Sequence, residues 1–137
     1  MADRIVLTDE LYLGMIEHAR REAPAEAVGV LGGSREGEAT KRIELTNLAF
    51  GDGFFVDPYS QFRAFKTLQE KELLPLAIYH SHPHGPPDPS GVDAYFALRL
   101  NLIQIIVSLR PKSAGPSMRA FRIRPERLQE IPLLRAT

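Results

Sequence analysis

Three of the chain's four histidines, His80, His82 and His84, fall within five residues. His80 and His82 close an apolar run that starts at Leu74. Strand side chains alternate between faces, so Leu76, Ile78, His80 and His82 should line one face in order. Two imidazoles side by side on a largely buried face are costly if both are charged. A shared divalent metal removes that cost, because neutral imidazole is a good zinc ligand. The chain has no cysteine, so every ligand must be nitrogen or oxygen. A stiff loop, Pro83 to Pro89, holds four prolines and then returns at Ser90-Gly91-Val92-Asp93. Asp93, in the first turn of a helix, is the third ligand candidate. Two nitrogens and one carboxylate oxygen leave a tetrahedral zinc with one place for water, the pattern of a catalytic site. Such a water has a pKa near ~7, and a base must still take its proton. Glu26 is the candidate base, at the start of a glycine-containing strand that could neighbour Leu74–His82. Ser90 is a candidate donor to the oxyanion of an attacked carbonyl.

Each of these residues also has a plainer reading. His80 and His82 could simply end a strand. Ser90 and Asp93 match a helix cap followed by an acid three residues on, and Ser90 can cap a helix while Asp93 binds metal. Glu26 alone is an ordinary solvated charge. Ser90, His80 and Asp93 supply the types for a serine-nucleophile hydrolase, but no G-x-S-x-G elbow is present and the histidine pair goes unexplained. His84, on the loop, is a weaker candidate for touching substrate. Asp88 reads as a turn residue. His18 lies near the end of a helix, where the dipole favours partial charge, and no function is assigned to it. Asn47 and the segment around Phe54 are candidates for lining a substrate groove.

The elements that must position these groups are legible from periodicity. Arg4–Leu7 reads as a short strand. Thr8 caps a helix that carries Asp9 and Glu10 at its positive end and Arg20 and Arg21 at its negative end. Leu11, Met15 and Ala19 give it an apolar stripe, and it should end near Glu22, before Pro24. Glu26–Gly32 and Lys41–Asn47 read as strands. Asp57-Pro58 is a helix start, with a capping carboxylate followed by proline at the first helical position. Phe62, Phe65 and Leu68 should be that helix's core stripe. Leu74–His82 is the next strand. A third helix should follow the loop, with Val92, Phe96 and Leu100 four residues apart. Leu102–Leu109 fits a buried central strand, and Arg119–Arg124 fits a half-exposed one. Strands interleaved with helices imply a single-domain α/β fold, a mixed β-sheet flanked by helices. The domain should span residues 1–125, with 126–137 a peripheral C-terminal tail.

At 137 residues one domain is expected, and the apolar and charged fractions of 44% and 25% are those of a globular protein. Formal net charge is zero and no basic run stands out, which argues against nucleic acid or an anionic membrane as main partner. Met1 to Leu7 lacks a long apolar stretch, so no signal peptide or membrane span is expected there, and the expected location is cytoplasmic.

His80-Ser81-His82-Pro83, the seven residues Pro83 through Pro89, then Ser90, two residues and Asp93 resemble the JAMM motif of the MPN (JAB) metalloprotease family. Upstream, Pro24-Ala25-Glu26-Ala27-Val28-Gly29-Val30-Leu31-Gly32 is similar to the family segment that carries the catalytic glutamate. The resemblance spans roughly Ile5 to Phe121. It implies a zinc metallopeptidase or isopeptidase with one Zn2+ per chain, on a fold similar to cytidine deaminase. His80, His82 and Asp93 match the ligand positions, Glu26 the glutamate and Ser90 the serine. Val28 stands where many members have cysteine. Small prokaryotic members act on ubiquitin-like or sulfur-carrier β-grasp proteins, cutting after a C-terminal glycine and typically releasing cysteine or a tail. There is little room here for the substrate-gripping insertions of ubiquitin-specialised members. The alternative is a catalytically silent MPN scaffold or binding module. A homodimer is compatible with the sequence, but nothing in it reads oligomeric state.

Overall fold

A computed structural model describes residues 3–51, 53–89, 101–110, 115–124 and 127–136. The described elements run β1 (Ile5–Thr8), α1 (Asp9–Glu22), β2 (Val28–Gly33), β3 (Ala39–Leu45), α2 (Pro58–Glu70), β4 (Leu74–His82), β5 (Ile103–Ser108), β6 (Ser117–Arg124), β7 (Arg127–Ile131) and β8 (Leu133–Ala136). Both helices start as their sequences dictate. Thr8 Oγ1 accepts from the Leu11 amide at 3.1 Å, and the Asp57 carboxylate accepts from the Tyr59 amide at 3.1 Å with Pro58 following. The expected third helix, with Val92, Phe96 and Leu100, lies outside the described residues.

A six-stranded mixed sheet carries the molecule, in the order β3-β2-β4-β5-β6-β7. Its β4–β5 pair is parallel, and the other pairs are antiparallel. The alternation of side chains divides its core in two. Leu31, Ala77, Tyr79, Ile103, Ile105 and Val107 pack with Met15 and Ala19 of α1. On the other face Val28, Val30, Ile78, Ile106 and Phe121 pack with Ala64 and Leu68 of α2. Leu76, expected to share the face of Ile78, packs into the α1-side core instead. A register shift between Leu31 and Gly32 causes this, since Leu31 opposes Ala77 while Gly32 opposes Pro75.

Two further expectations are corrected. Phe62 is 64% exposed, and the buried stripe of α2 is Ala64 and Leu68, with Phe65 packed at its margin. Ala64 and Leu68 lie four residues apart on one side of the helix, and Phe62 falls off that stripe. The residues read as a peripheral tail are built into both sheets. β7 extends the large sheet beside β6, and β8 pairs in parallel with β1 from Ile5↔Leu133 to Thr8↔Ala136. Ile131 is 4% exposed and joins the α1-side core.

His18 differs from its expected helix-end role. It is 2% exposed, and its Nδ1 lies 2.7 Å from the Tyr79 hydroxyl. Arg42 donates to the same hydroxyl at 3.2 Å, and Glu44 is gripped by both Arg21 nitrogens and by Arg42. The Arg21 hydrogen bonds hold the Glu44 carboxyl down at about 2, and burial pushes the Tyr79 hydroxyl up to about 12. Gly29 makes room for this ring: a Cβ there would lie 2.2 Å from a Tyr79 ring carbon.

Burial lowers the pKa of His18 below its ordinary 6.5, outweighing the attraction of Glu44. The unfolded chain then takes up a proton first as pH falls, so stability is present above the unfolded pKa and is lost on acidification through it. Urea midpoints should fall between pH 7.5 and roughly pH 5.5, and His18→Gln should flatten that dependence. An unchanged slope in the variant would assign the titration to another group.

Candidate metal centre and its supports

Glu26, His80 and His82 are brought together at the C-terminal end of β4. One ligand atom of each lies within 4.8 Å of the others. Register does this. β2 and β4 are antiparallel with Val28 opposite His80, and the pairing continues beyond the strand: Ser81 N donates to the Ala27 carbonyl at 3.0 Å. The Ser81 hydroxyl also accepts from Ala27 N at 2.8 Å, locking the two chains at this point. Glu26 therefore comes opposite His82, and the alternation of side chains puts Glu26, Val28, His80 and His82 on one face. The strand itself begins at Val28, two residues after the Glu26 start expected from sequence.

The two imidazoles face each other through their Nε2 atoms at 3.2 Å. A tetrahedral metal with bonds of about 2.0–2.1 Å to nitrogen separates two such ligands by roughly 3.3 Å. Tautomer chemistry agrees. His82 Nδ1 lies 2.8 Å from the Pro86 carbonyl oxygen, which can only accept, so Nδ1 carries the proton and Nε2 presents its lone pair. His80 is fully buried in the sheet, and His82 is half-buried. This donor set of two imidazoles and a nearby carboxylate suits zinc or a similar divalent ion. Ser90 and Asp93 lie outside the described residues.

The loop after His82 is staked to the sheet. Ser108, at the end of β5, donates through its hydroxyl to the Gly85 carbonyl at 2.6 Å, and Arg110 N donates back to that hydroxyl at 3.2 Å. Arg119 on β6 pairs with Asp88, which gives the expected turn residue a specific anchor. Arg119 is also held by Glu130 of β7 at 2.7 Å. His84 is exposed on this loop. The proline loop thus holds the Pro86 carbonyl where His82 needs it.

On the other side of the pair, residues 46–51 and 53–57 form a narrow strap. Asn47 bridges Val56, Leu48 N donates to the Phe55 carbonyl at 2.7 Å, and Asp57 N to the Thr46 carbonyl at 2.9 Å. Gly53 N donates to Glu26 Oε2 at 3.0 Å, and the Phe54 ring lies 4.8 Å from the His80 ring. Gly53 has φ +85, which favours glycine at this tip. Asn47 was expected at a groove wall, but its amide faces inward to the backbone. Ser108, Gly85, Pro86 and Gly53 were not singled out from sequence. Their contributions are a hydroxyl and backbone groups, and the only trace they leave is the glycine and proline content of the two loops.

The model of prokaryotic homologs of the JAB domain matches residues 8–124. A CysO-cysteine peptidase of Mycobacterium tuberculosis is 30% identical over 131 residues, which cover 94% of this chain and 89% of that protein. A probable TtuB-protein conjugate cleaving protease of Thermus thermophilus is 39% identical over 84 residues, covering 58% and 57%. A solution structure of a Desulfitobacterium hafniense protein superposes with a TM-score of 0.86 at 32% identity, covering 96% of this chain and 92% of that one. The crystal structure of a JAB1/MPN domain protein from Archaeoglobus fulgidus gives 0.65 at 20% identity, covering 97% and 100%, a likeness of fold.

Ser108→Ala should release the Gly85 carbonyl, loosen the loop and weaken divalent-metal binding about 10-fold or more. Competition against a chromophoric chelator measures this. Unaltered affinity would show that the loop holds His82 without Ser108.

Proposed function

Because this chain belongs to the family of prokaryotic homologs of the JAB domain, we propose that it is a zinc metallopeptidase that cuts the amide bond after the C-terminal glycine of a ubiquitin-like or sulfur-carrier β-grasp protein. The observation that carries the reading is the meeting of His80 Nε2 and His82 Nε2 at 3.2 Å beside the Glu26 carboxylate. The named activities of the relatives, on CysO-cysteine and on TtuB conjugates, support the substrate class.

His80 and His82 would hold the metal through Nε2, and Asp93 is assigned as the third ligand from its place in the motif. Bound there, zinc supplies a Lewis acid that polarises the scissile carbonyl and makes water acidic near neutral pH. Glu26 takes the proton from the attacking water and passes it to the leaving nitrogen, so the carboxylate acts as base and then as acid. Ser90 is assigned as a hydrogen-bond donor to the oxyanion. His80 is buried against Phe54, which keeps bulk water from that side of the site.

The strap that reaches Glu26 and the start of α2 that follows it carry exposed apolar side chains. Leu48, Phe50 and Phe55 on the strap and Tyr59 and Phe62 on α2 are all exposed, and they include every exposed phenylalanine and tyrosine among the described residues. Tyr59 and Phe62 are one helical turn apart and share a side of α2. Exposed aromatics so close in sequence support a protein partner over a small molecule. A carrier body can rest there while its glycine tail reaches the metal. Cysteine is the leaving group the reading favours, by likeness to the mycobacterial peptidase.

The test incubates the zinc-loaded protein with β-grasp carriers from its own cell, extended past the terminal glycine by cysteine or by a lysine-linked peptide, and weighs the products. Release of the extension supports the reading, and cysteine release in preference to peptide release identifies the leaving group. Stoichiometric zinc with no cleavage of any carrier would favour a silent scaffold. Glu26→Gln should keep zinc and lose about 100-fold or more in turnover, whereas His80→Ala should lose zinc by elemental analysis. Near-normal turnover in the first, or full occupancy in the second, would remove that residue from its assigned role.

A further inference from the structure

Glu26 is held at both ends by the strap, and both holds trace to one side chain. Asn47 Nδ2 donates to the Glu26 backbone carbonyl at 2.9 Å and to the Gly53 carbonyl at 3.3 Å. Its Oδ1 accepts from Ala49 N at 2.9 Å and from Phe55 N at 2.9 Å. Two donors and two acceptor positions exhaust what a carboxamide offers. Gly53, whose carbonyl is one of those partners, donates its own amide to Glu26 Oε2 at 3.0 Å. The Asn47 amide thus ties the Glu26 main chain to the strap, and the strap tip returns a hydrogen bond to the carboxylate.

We propose that Asn47 is a positioning residue for the Glu26 carboxylate, acting through the Gly53 amide. The inference rests on the assignment of Glu26 as the proton carrier, and it adds that the strap sets where that carboxylate points. A flexible glutamate on an irregular segment has several rotamers. One amide hydrogen bond aimed at Oε2 selects among them, provided the amide is itself fixed. Phe54 packs against His80 on one side of Gly53, while Gly53 and Gly51 themselves have positive φ and nothing within 4 Å of where a Cβ would stand, so the Gly53 peptide has no side-chain packing of its own. Asn47 adds a hydrogen bond to the Gly53 carbonyl that orients this peptide. A group that orients a proton carrier without touching substrate should act on turnover and leave substrate binding alone.

Asn47→Asp isolates the proposed link. Its carboxylate still accepts from Ala49 and Phe55, so the strap keeps its turn, but it cannot donate to the Glu26 and Gly53 carbonyls. We expect kcat on a carrier–cysteine substrate to fall roughly 10- to 100-fold, with KM and zinc affinity within about 2-fold of the unaltered chain. Asn47→Ala should lose at least as much and also speed hydrogen exchange at Ala49 and Phe55. A readout independent of turnover comes from the metal-free protein by NMR. The Gly53 amide resonance should move in Asn47→Asp in the same direction as in Glu26→Gln, because both remove its ordered carboxylate partner, and the double variant should show no further movement. A kcat within 2-fold of the unaltered chain overturns the proposal, as does a Gly53 amide that stays still in Asn47→Asp while moving in Glu26→Gln. If the unaltered chain cleaves no carrier, the functional reading fails, and the Gly53 resonance still decides the question for Asn47.

Discussion

The register of β2 against β4 is the constraint on which the site depends. With Val28 opposite His80 and Ala27 bonded to Ser81 through both backbone and hydroxyl, Glu26 has one place to go, across from His82. A slip of one residue would turn His80 and His82 to the α1 side and Tyr79 to the α2 side. Such a slip is penalised heavily. Tyr79 would leave a niche that Gly29 keeps open for it, and its hydroxyl would leave His18 and Arg42. The buried network under the sheet therefore does for register what a turn does in a hairpin. It has no part in the chemistry, yet it decides which face the imidazoles occupy.

The site is assembled from opposite sides by two loops of different character. The proline loop is stiff by composition and fixed by Ser108 and Arg119, so the Pro86 carbonyl can set the tautomer of His82. The strap is glycine-punctuated, and a web of hydrogen bonds centred on Asn47 holds it. Stiffness suits a metal ligand, whose geometry must match bonds of fixed length. A looser element suits the segment that carries exposed aromatics, since a docking protein must pack onto it. One strap thus meets both the carboxylate, through Gly53, and solvent, through Leu48, Phe50 and Phe55.

Much of this was legible before any coordinates. The bounds of β4 are legible in its apolar run and the starts of α1 and α2 in their caps, and the convergence of Glu26 with the histidine pair is what the family resemblance implies, since spacing alone does not make its strand a neighbour of β4. What escaped shares a physical cause. Leu76 changes sides because of a register shift, which alternation along one strand cannot reveal. Phe62 faces solvent because helical periodicity marks an apolar stripe without saying which part of it is covered. Residues after Pro125 carry no regular alternation, and only the partners β6 and β1 make strands of them. The helix dipole suggested a charged His18, but burial is the larger effect and depends on contacts with Tyr79, sixty-one residues away. Sequence spacing reports local geometry well, while facing, coverage and desolvation belong to the tertiary fold.

The same distinction explains why the histidine pair is well prepared for a cation. A strand-end H-x-H is common and by itself confers little. Here His80 sits at zero exposure in a central strand, and His82 is oriented by a backbone carbonyl, so few rotamers remain to be lost on binding. The cost of bringing two nitrogen lone pairs together falls on the folding of the sheet, which is driven by the apolar residues flanking them, Val28, Ile78 and Ile106. Binding energy that would otherwise go into ordering ligands is then available as affinity. In this sense the hydrophobic core on the α2 side supports the site: its residues pack around the strand end that holds the two imidazole nitrogens 3.2 Å apart.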